Sequence, residues 1–163
     1  MPVTANFDIS KIAKALEKKF NVDIKEDVRE AVVAGALDIV NAAKANDTYK
    51  DRTGQLRSSI GFVVYEDGQR KTAYFQQSGT GDGTGGATGT QKGEAVADEI
   101  AQQNNGKGEI TVAIVAGADY ALAVESKGYD VMTSHTNHAQ DFIMPHLNDL
   151  EEALQELKDS GDI

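Results

Sequence analysis

Residues 24–46 form the longest stretch of helical periodicity in the sequence, and they constrain the fold more than any other segment. Apolar side chains recur every three or four residues, which places them on one face of a helix. Gly35 lies on this segment and permits close packing against a neighbouring element, although glycine lowers helix propensity. The chain has two prolines, Pro2 and Pro145, so no proline interrupts the segment. We therefore predict a long helix whose buried face carries Ile24, Val28, Ala31, Val32, Ala36, Leu37, Val40 and Ala43.

The two ends of the chain show the same periodicity. Residues 8–20 carry apolar side chains at helical spacing, and we assign residues 1–20 to an N-terminal helical extension. Residues 137–160 repeat the pattern as a last helix. Pro145 lies inside that segment, and because proline disrupts a helix interior, the helix should begin or bend nearby.

The middle of the chain carries the strand signals. Residues 60–65 and 71–77 are joined by Asp67-Gly68, a dipeptide typical of tight hairpin turns. Residues 109–116 alternate in polarity, as a half-buried strand does. Together, these helices and strands predict an α+β fold: a small antiparallel β-sheet packed against a long N-terminal helix and a C-terminal helix. A chain of 163 residues suits one domain, so we expect residues 1–163 to form a single domain.

Residues 78–93 hold seven of the 16 glycines of the chain. Because glycine loses the most conformational entropy on ordering, we predict a flexible Gly-rich loop, inserted between the strands. A short helix over 94–103 and a turn over 104–108 should follow. Within the loop, Gly81-x-Gly83-x-x-Gly86 matches the dinucleotide fingerprint in form. A segment this rich in glycine matches by chance, and the fingerprint also needs a parallel strand–helix unit, so we predict no cofactor.

Charge and composition exclude several classes of protein. The net charge is −10, and residues 72–163 carry 15 acidic and 4 basic side chains. Such a surface repels duplex phosphate, so a nucleic-acid reader is disfavoured unless the more basic segment 44–71 lines a channel. The chain has no cysteine, which excludes disulfides and thiolate metal sites. No signal-peptide pattern and no apolar run of membrane-spanning length is visible, so we expect a soluble protein made in the cytoplasm, without a membrane partner.

Candidate chemical sites are sparse. His135, His138 and Asp141 are weak candidates for metal ligands, because His138 and Asp141 are spaced to share a helical face. Histidine pairs of this kind are often ordinary packing or surface residues, and we predict neither a metal nor a catalytic residue. Ser58 and Ser59 lack the glycine elbow of a hydrolase nucleophile. A small metal-binding or enzymatic module stays open as the alternative from another class.

Two clusters combine polar and apolar residues in a specific way. In the first, Asp51 to Ile60, Thr53 is placed to cap a short helical turn that opens at Gly54. Leu56 anchors that turn to the core, and we expect Arg57 to face outward, free to bind a carboxylate. The second cluster, Gly117 to Gly128, follows the best predicted strand. There we expect Tyr120 and Val124 to pack inward and Glu125 to emerge.

In order along the chain, these clusters resemble a known family. The chain carries Thr-Gly-x-Leu-Arg at 53–57 and Tyr-Ala-x-x-Val-Glu at 120–125, and both motifs lie between a long N-terminal helix and a C-terminal helix. This arrangement is similar to that of the head–tail joining, or tail-completion (neck), proteins of tailed bacteriophages and prophages. The resemblance covers residues 24–155. The segment 78–108 is longer than the resemblance leads us to expect.

The resemblance implies an architectural role without catalysis or cofactor. Copies of such proteins form a ring in the neck, through which DNA passes, and contact connector and tail-tube proteins. The implied location is the head–tail junction of a virion assembled in the bacterial cytoplasm. A tail terminator or a minor capsid component is the alternative within the same class. We expect the ring interface to involve Thr53, Gly54, Leu56, Arg57, Tyr120 and Glu125, with Arg57 near Glu125, and the 78–93 loop to order on contact with a neighbouring ring or the tail tube.

Overall fold

The computed structural model describes residues 1–103 and 110–163. The predicted turn at 104–108 and the first residue of the predicted strand at 109–116 lie outside this range. In chain order the elements are β1 (Val3–Asp8), α1 (Ser10–Phe20), α2 (Lys25–Ala45), α3 (Gln55–Ser58), β2 (Ile60–Glu66), β3 (Gln69–Phe75), α4 (Gly86–Gln103), β4 (Ile110–Ala116), α5 (Ala121–Ser126), α6 (Thr133–Asn137) and α7 (Ala139–Ser160).

The α+β prediction is confirmed. Four strands form one sheet in the order β1-β4-β2-β3, and all neighbouring pairs are antiparallel. The predicted hairpin is the β2–β3 pair, which turns through Asp67 with φ 54° and Gly68 with φ 75°. The long helix is α2 and the last helix is α7, which continues through Pro145. No helix within the described ranges is long and apolar enough to cross a membrane.

The prediction of a helical extension over residues 1–20 is wrong for residues 3–8, which form β1. This strand pairs with β4 along its whole length, from Val3 opposite Ala116 to Asp8 opposite Thr111. The physical reason is an alternation of two: every second side chain of β1 is half-buried and those between are exposed. Asp8 then ends the strand and caps α1, because its carboxylate accepts the amide N–H of Ser10 at 2.9 Å.

Both faces of the sheet are covered by helices, which explains why β2 and β4 are almost continuously apolar. On one face, Phe62, Val64, Val112 and Ile114 pack into the main core with side chains of α1, α2 and α7. On the opposite face, a smaller cluster lies under α4 and contains Val63, Tyr65, Ala97, Ala113 and Val115. The main core is also where Gly35 is needed, since a Cβ there would lie 2.7 Å from the Ile143 Cα.

The prediction of a flexible loop over 78–93 is wrong for residues 86–93, which form the first half of α4. The glycines allow this helix to pack closely against neighbouring backbone. A Cβ on Gly89 would lie 2.3 Å from the Gln55 carbonyl oxygen, and one on Gly93 would lie 2.8 Å from the Ser59 carbonyl oxygen. The missing side chains let α4 approach the backbone of α3 closely. The predicted helix at 94–103 is the second half of α4.

Candidate interaction cleft

The first cluster is organised by a buried carboxylate, that of Asp51. Its two oxygens accept the amide N–H groups of Gly54 at 3.1 Å and Arg57 at 2.8 Å. These are amides that the short helix α3 cannot satisfy internally, so Asp51 acts as its cap. The predicted cap, Thr53, makes a weaker contact, since its hydroxyl accepts the Gln55 N–H at 3.3 Å.

Gly54 is required at its position for two reasons. Its φ is +80°, a left-handed conformation that side chains disfavour. A Cβ there would also lie 2.7 Å from the Thr80 carbonyl oxygen. The turn at Gly54 therefore fixes the approach of the 78–81 segment to α3.

Arg57 does not face outward, contrary to the prediction. It is 9% exposed, and its guanidinium lies over the Tyr49 ring, 4.6 Å from the centroid. Its N–H groups donate to the carbonyl oxygens of Lys44 at 2.9 Å, Asn46 at 2.6 Å and Tyr49 at 3.3 Å. A cation at the carboxyl end of α2 is also favoured by the helix dipole. The sequence could not show this, because the carbonyls lie eight to thirteen residues away in the chain.

Glu125 also has an internal role. Its carboxylate accepts the amide N–H groups of Met132 at 2.9 Å and Thr133 at 3.1 Å, and the Thr133 hydroxyl. It therefore caps α6 and ties α5 to the segment that follows. Within the described residues, no ion pair joins Arg57 to Glu125, and each is held by other partners.

Ser59 joins the two clusters directly. Its hydroxyl donates to the Leu56 carbonyl at 2.7 Å and accepts the Ala118 N–H at 3.0 Å. Its carbonyl accepts the Gly117 N–H at 3.1 Å. Because Ser59 is fully buried, these bonds satisfy polar groups that would otherwise be costly. The start of the second cluster is thus fixed against the end of the first.

A cleft of about 1090 Å³ lies between the two clusters. Its lining includes Thr53, Leu56, Arg57 and Tyr120, four of the six residues predicted at an interface; Gly54 and Glu125 stand behind it as structural residues. Tyr120 was predicted to pack inward, but it is 39% exposed and lines the cleft together with Tyr129, which is 48% exposed. Val124 packs against the main core as predicted.

The wall that carries Tyr129 is fixed to the end of α2 through Asp130. The Asn46 side-chain amide donates to the Asp130 carboxylate at 2.8 Å, and the Asp130 N–H donates to the Thr48 hydroxyl at 3.1 Å. Burial acts to raise the pKa of Asp130, but hydrogen bonds from Ser134 and Asn46 and the electrostatic attraction of the nearby His135 outweigh it, so the pKa lies below its ordinary value. Asp130 is therefore held as a carboxylate, and its contribution to stability is lost only as the pH falls through that lowered pKa.

The three candidate metal ligands are not brought together. His135 lies 3.8 Å from Asp130, whereas His138 and Asp141, both exposed, form their own pair at 3.8 Å. The third histidine, His146, contacts Asp38 at 2.7 Å and links α7 to α2. Among residues 1–103 and 110–163, no group of three or more His, Asp or Glu side chains could hold a metal ion.

Tyr49 also lines the cleft, although no pattern in the sequence points to it. It is 8% exposed, and its hydroxyl has no hydrogen-bond partner in the described part of the chain. Burial raises the pKa of this hydroxyl to about 12, against the opposing charge of Arg57. Since the folded pKa lies above the unfolded one, the associated stability is fully present below pH 10 and is lost as the pH rises through 12.

We expect Tyr49→Phe to raise the free energy of unfolding at pH 7 by about 1 kcal/mol, because it removes a buried polar group without a partner. Between pH 10 and 12 the wild type should lose up to about 1.4 kcal/mol per pH unit relative to the variant. Urea unfolding at pH 7 and pH 11 measures both effects. Tyr74→Phe is the control, since the Tyr74 hydroxyl donates to Gln76 and its removal should bring no gain. If both variants lost the same free energy of unfolding, the Tyr49 hydroxyl would have a hydrogen-bond partner in the folded protein.

Comparison with known families covers both clusters. The family model described as "Bacteriophage HK97-gp10, putative tail-component" matches residues 10–126, from α1 to the end of α5. Searches of curated proteins and of solved structures gave no match. The match confirms the resemblance to a phage head–tail joining or tail-completion family. A tail component is a structural part of the virion and contacts other phage structural proteins. The chain therefore belongs to the HK97-gp10-like family of bacteriophage tail components.

Proposed function

We propose that this chain is a subunit of an oligomeric ring in the phage neck, which joins the DNA-filled head to the tail. The observation that carries the proposal is the family match over residues 10–126, which includes both clusters that build the cleft. A preformed cleft with exposed aromatic side chains is typical of a protein-binding surface, because tyrosine supplies large contact area at low entropic cost.

The structure supports a division of roles among the six proposed interface residues. Gly54, Arg57 and Glu125 hold the cleft walls in place through backbone contacts. Thr53 and Leu56 line the cleft beside them, and Tyr120 is the most exposed of the six and the one we expect to contact a partner. Charge reversal of Arg57 would therefore disturb folding first, and is not a clean test of assembly.

The acidic character of the chain fits a ring wall past which DNA moves. With a net charge of −10, the subunit repels phosphate over most of its surface and does not grip the duplex. The proposed partners are other copies of the chain, the connector and neck proteins on the head side, and the tail tube on the other. The proposed location is the head–tail junction of virions assembled in the bacterial cytoplasm.

Native mass measurement tests the ring directly. We expect a single species at an integer multiple of the 17.4 kDa subunit, either alone or after addition of the tail-tube protein. Tyr120→Asp should shift the population towards monomer without lowering thermal stability, because Tyr120 is exposed. Thr88→Asp on the exposed side of α4 is the matched control and should assemble normally. A monomer under every condition, with and without the tail tube, would overturn the proposal.

A further inference from the structure

We infer that the cleft receives the C-terminal end of α7 from a neighbouring copy, so that the subunits associate head to tail. This inference rests on the proposed ring and names the surfaces that would close it. Three properties of the molecule support it: the charge at the cleft, the charge and apolar residues at the end of α7, and the positions of these two surfaces along α2.

The cleft has a cationic rim, which is unusual in a chain with a net charge of −10. Lys50, Arg52 and Lys127 line it and are exposed. Within the described residues, none of the three forms an ion pair. Two acidic residues also line the cleft: Asp51 is buried and occupied by backbone amides, and Asp47 is exposed. Three exposed cations against one exposed anion leave the rim with a positive surplus around two exposed tyrosines.

The end of α7 has the complementary character. Asp149, Glu152, Glu156 and Asp159 are spaced three or four residues apart, so they form one exposed stripe along the helix. In the described structure none of them forms a salt bridge. Leu157, on the adjacent row, is 42% exposed and adds an apolar side chain beside the acidic stripe. Acidic side chains beside an exposed leucine match a cationic rim around exposed tyrosines.

One chain cannot bring these two surfaces together. The cleft lies at the carboxyl end of α2, where Arg57 binds the carbonyls of Lys44 and Asn46. The end of α7 lies by α1, which precedes the start of α2, because Glu151 pairs with Lys19 and Lys158 lies 5.9 Å from the Phe20 ring centroid. With 21 residues, α2 separates the two surfaces by about 30 Å.

Complementary surfaces at opposite ends of one molecule generate a heterologous interface. Such an interface repeats from copy to copy and closes into a ring when the rotation between copies permits. This is the symmetry that a neck ring needs, and it differs from the two-fold contact of an isologous dimer. DNA is the competing ligand for a cationic rim, but the exposed leucine and tyrosines favour a protein segment.

Charge exchange tests the pairing. Arg52→Glu with Lys127→Glu should raise the concentration needed for assembly by about tenfold or more, and Glu152→Lys with Glu156→Lys should do the same. Combining all four substitutions should restore assembly, because the charges are exchanged. The control reverses Lys14 and Glu99, exposed residues outside both surfaces, and should assemble as the wild type does.

Cysteine cross-linking tests the geometry, since the chain has no cysteine of its own. A variant carrying both Tyr129→Cys and Leu157→Cys should give a ladder of covalent oligomers on oxidation. A mixture of the two single variants should stop at a disulfide-linked dimer, and each single variant alone should stay uncross-linked.

The outcomes separate this inference from the proposed ring. If the wild type forms a ring but the charge variants assemble normally and no ladder appears, the ring uses other surfaces and the inference is wrong. If the chain stays monomeric with and without the tail tube, the proposed ring itself fails. Retention of duplex DNA that Arg52→Glu with Lys127→Glu abolishes, with no change in oligomer mass, would assign the rim to nucleic acid instead.

Discussion

Replacing Arg57 with alanine should lower the free energy of unfolding by about 3 kcal/mol, because the change leaves one buried and two partly buried carbonyl groups without this donor. Three carbonyl oxygens at or beyond the end of α2 depend on this side chain, at 2.6 to 3.3 Å. The variant also loses the contact between the guanidinium and the Tyr49 ring. Urea unfolding of the variant and the wild type measures the loss, provided that the slope of unfolding free energy against urea concentration (the m-value) is the same for both.

Arg52→Ala is the matched control for Arg57→Ala. It removes the same side chain from the same segment, but Arg52 is exposed, so the expected change is within about 0.5 kcal/mol. Arg57→Lys should recover little, because an ammonium cannot reach three carbonyls with the fixed fork of a guanidinium. If Arg57→Ala and Arg52→Ala are equally stable, water replaces the guanidinium, and the proposed role of Arg57 in holding the carbonyls at the end of α2 is wrong.

This result would change how the Thr-Gly-x-Leu-Arg segment is understood in this chain. An arginine next to a ring surface is easily taken for a contact across the interface, and loss of assembly in an Arg57 variant would be counted as support for that contact. In this chain, the same loss of assembly would follow from local unfolding of residues 46–57, the cleft wall that carries Arg57. Arg52 and Lys127 are the charges that can report on assembly without that ambiguity, because both are exposed at the cleft.

Periodicity predicted the elements that pack through one continuous face. The helix α2 and the strand β4 were predicted to within one or two residues, because each buries a regular pattern against the core. The first strand, β1, was missed because its alternation spans six residues of modest hydrophobicity, and only pairing with β4 makes it a strand. A short edge strand of this kind is specified by its neighbour more than by its own sequence.

The cleft could be predicted in composition but not in geometry. The two clusters were identified, yet the directions of Arg57 and Tyr120 were inverted. Both errors have one cause: the spacing of apolar residues says which side of an element faces the core, but α3 and α5 are too short for that spacing to decide. The orientation of Arg57 is set by carbonyls at the end of α2, which no local pattern reveals.

Gly89→Ala should destabilise the protein by about 2 kcal/mol, although alanine is the better helix former. An added Cβ would lie 2.3 Å from the Gln55 carbonyl oxygen and 2.8 Å from the Ser58 Cβ. Neither neighbour can move freely. The Gln55 carbonyl accepts the Ser59 N–H at 3.0 Å, and Ser58 is buried with its hydroxyl accepting the Ser78 N–H at 2.9 Å. The clash therefore outweighs the gain of about 1 kcal/mol in helix propensity. Thermal or urea unfolding gives the sign and the size.

Whether or not Gly89→Ala lowers the free energy of unfolding decides between a helix and a flexible loop at residues 86–93. In a flexible segment, Gly89→Ala would be close to neutral, because alanine would restrict the folded and the unfolded chain alike and would meet no clash. Thr88→Ala, the neighbouring exposed position, is the control and should stabilise α4 by a few tenths of a kcal/mol. A destabilising Gly89→Ala beside a neutral or stabilising Thr88→Ala would show that α4 is seated on α3 before any partner binds. The Gly-rich segment would then support the cleft from within the subunit, instead of ordering only when the ring meets its neighbours.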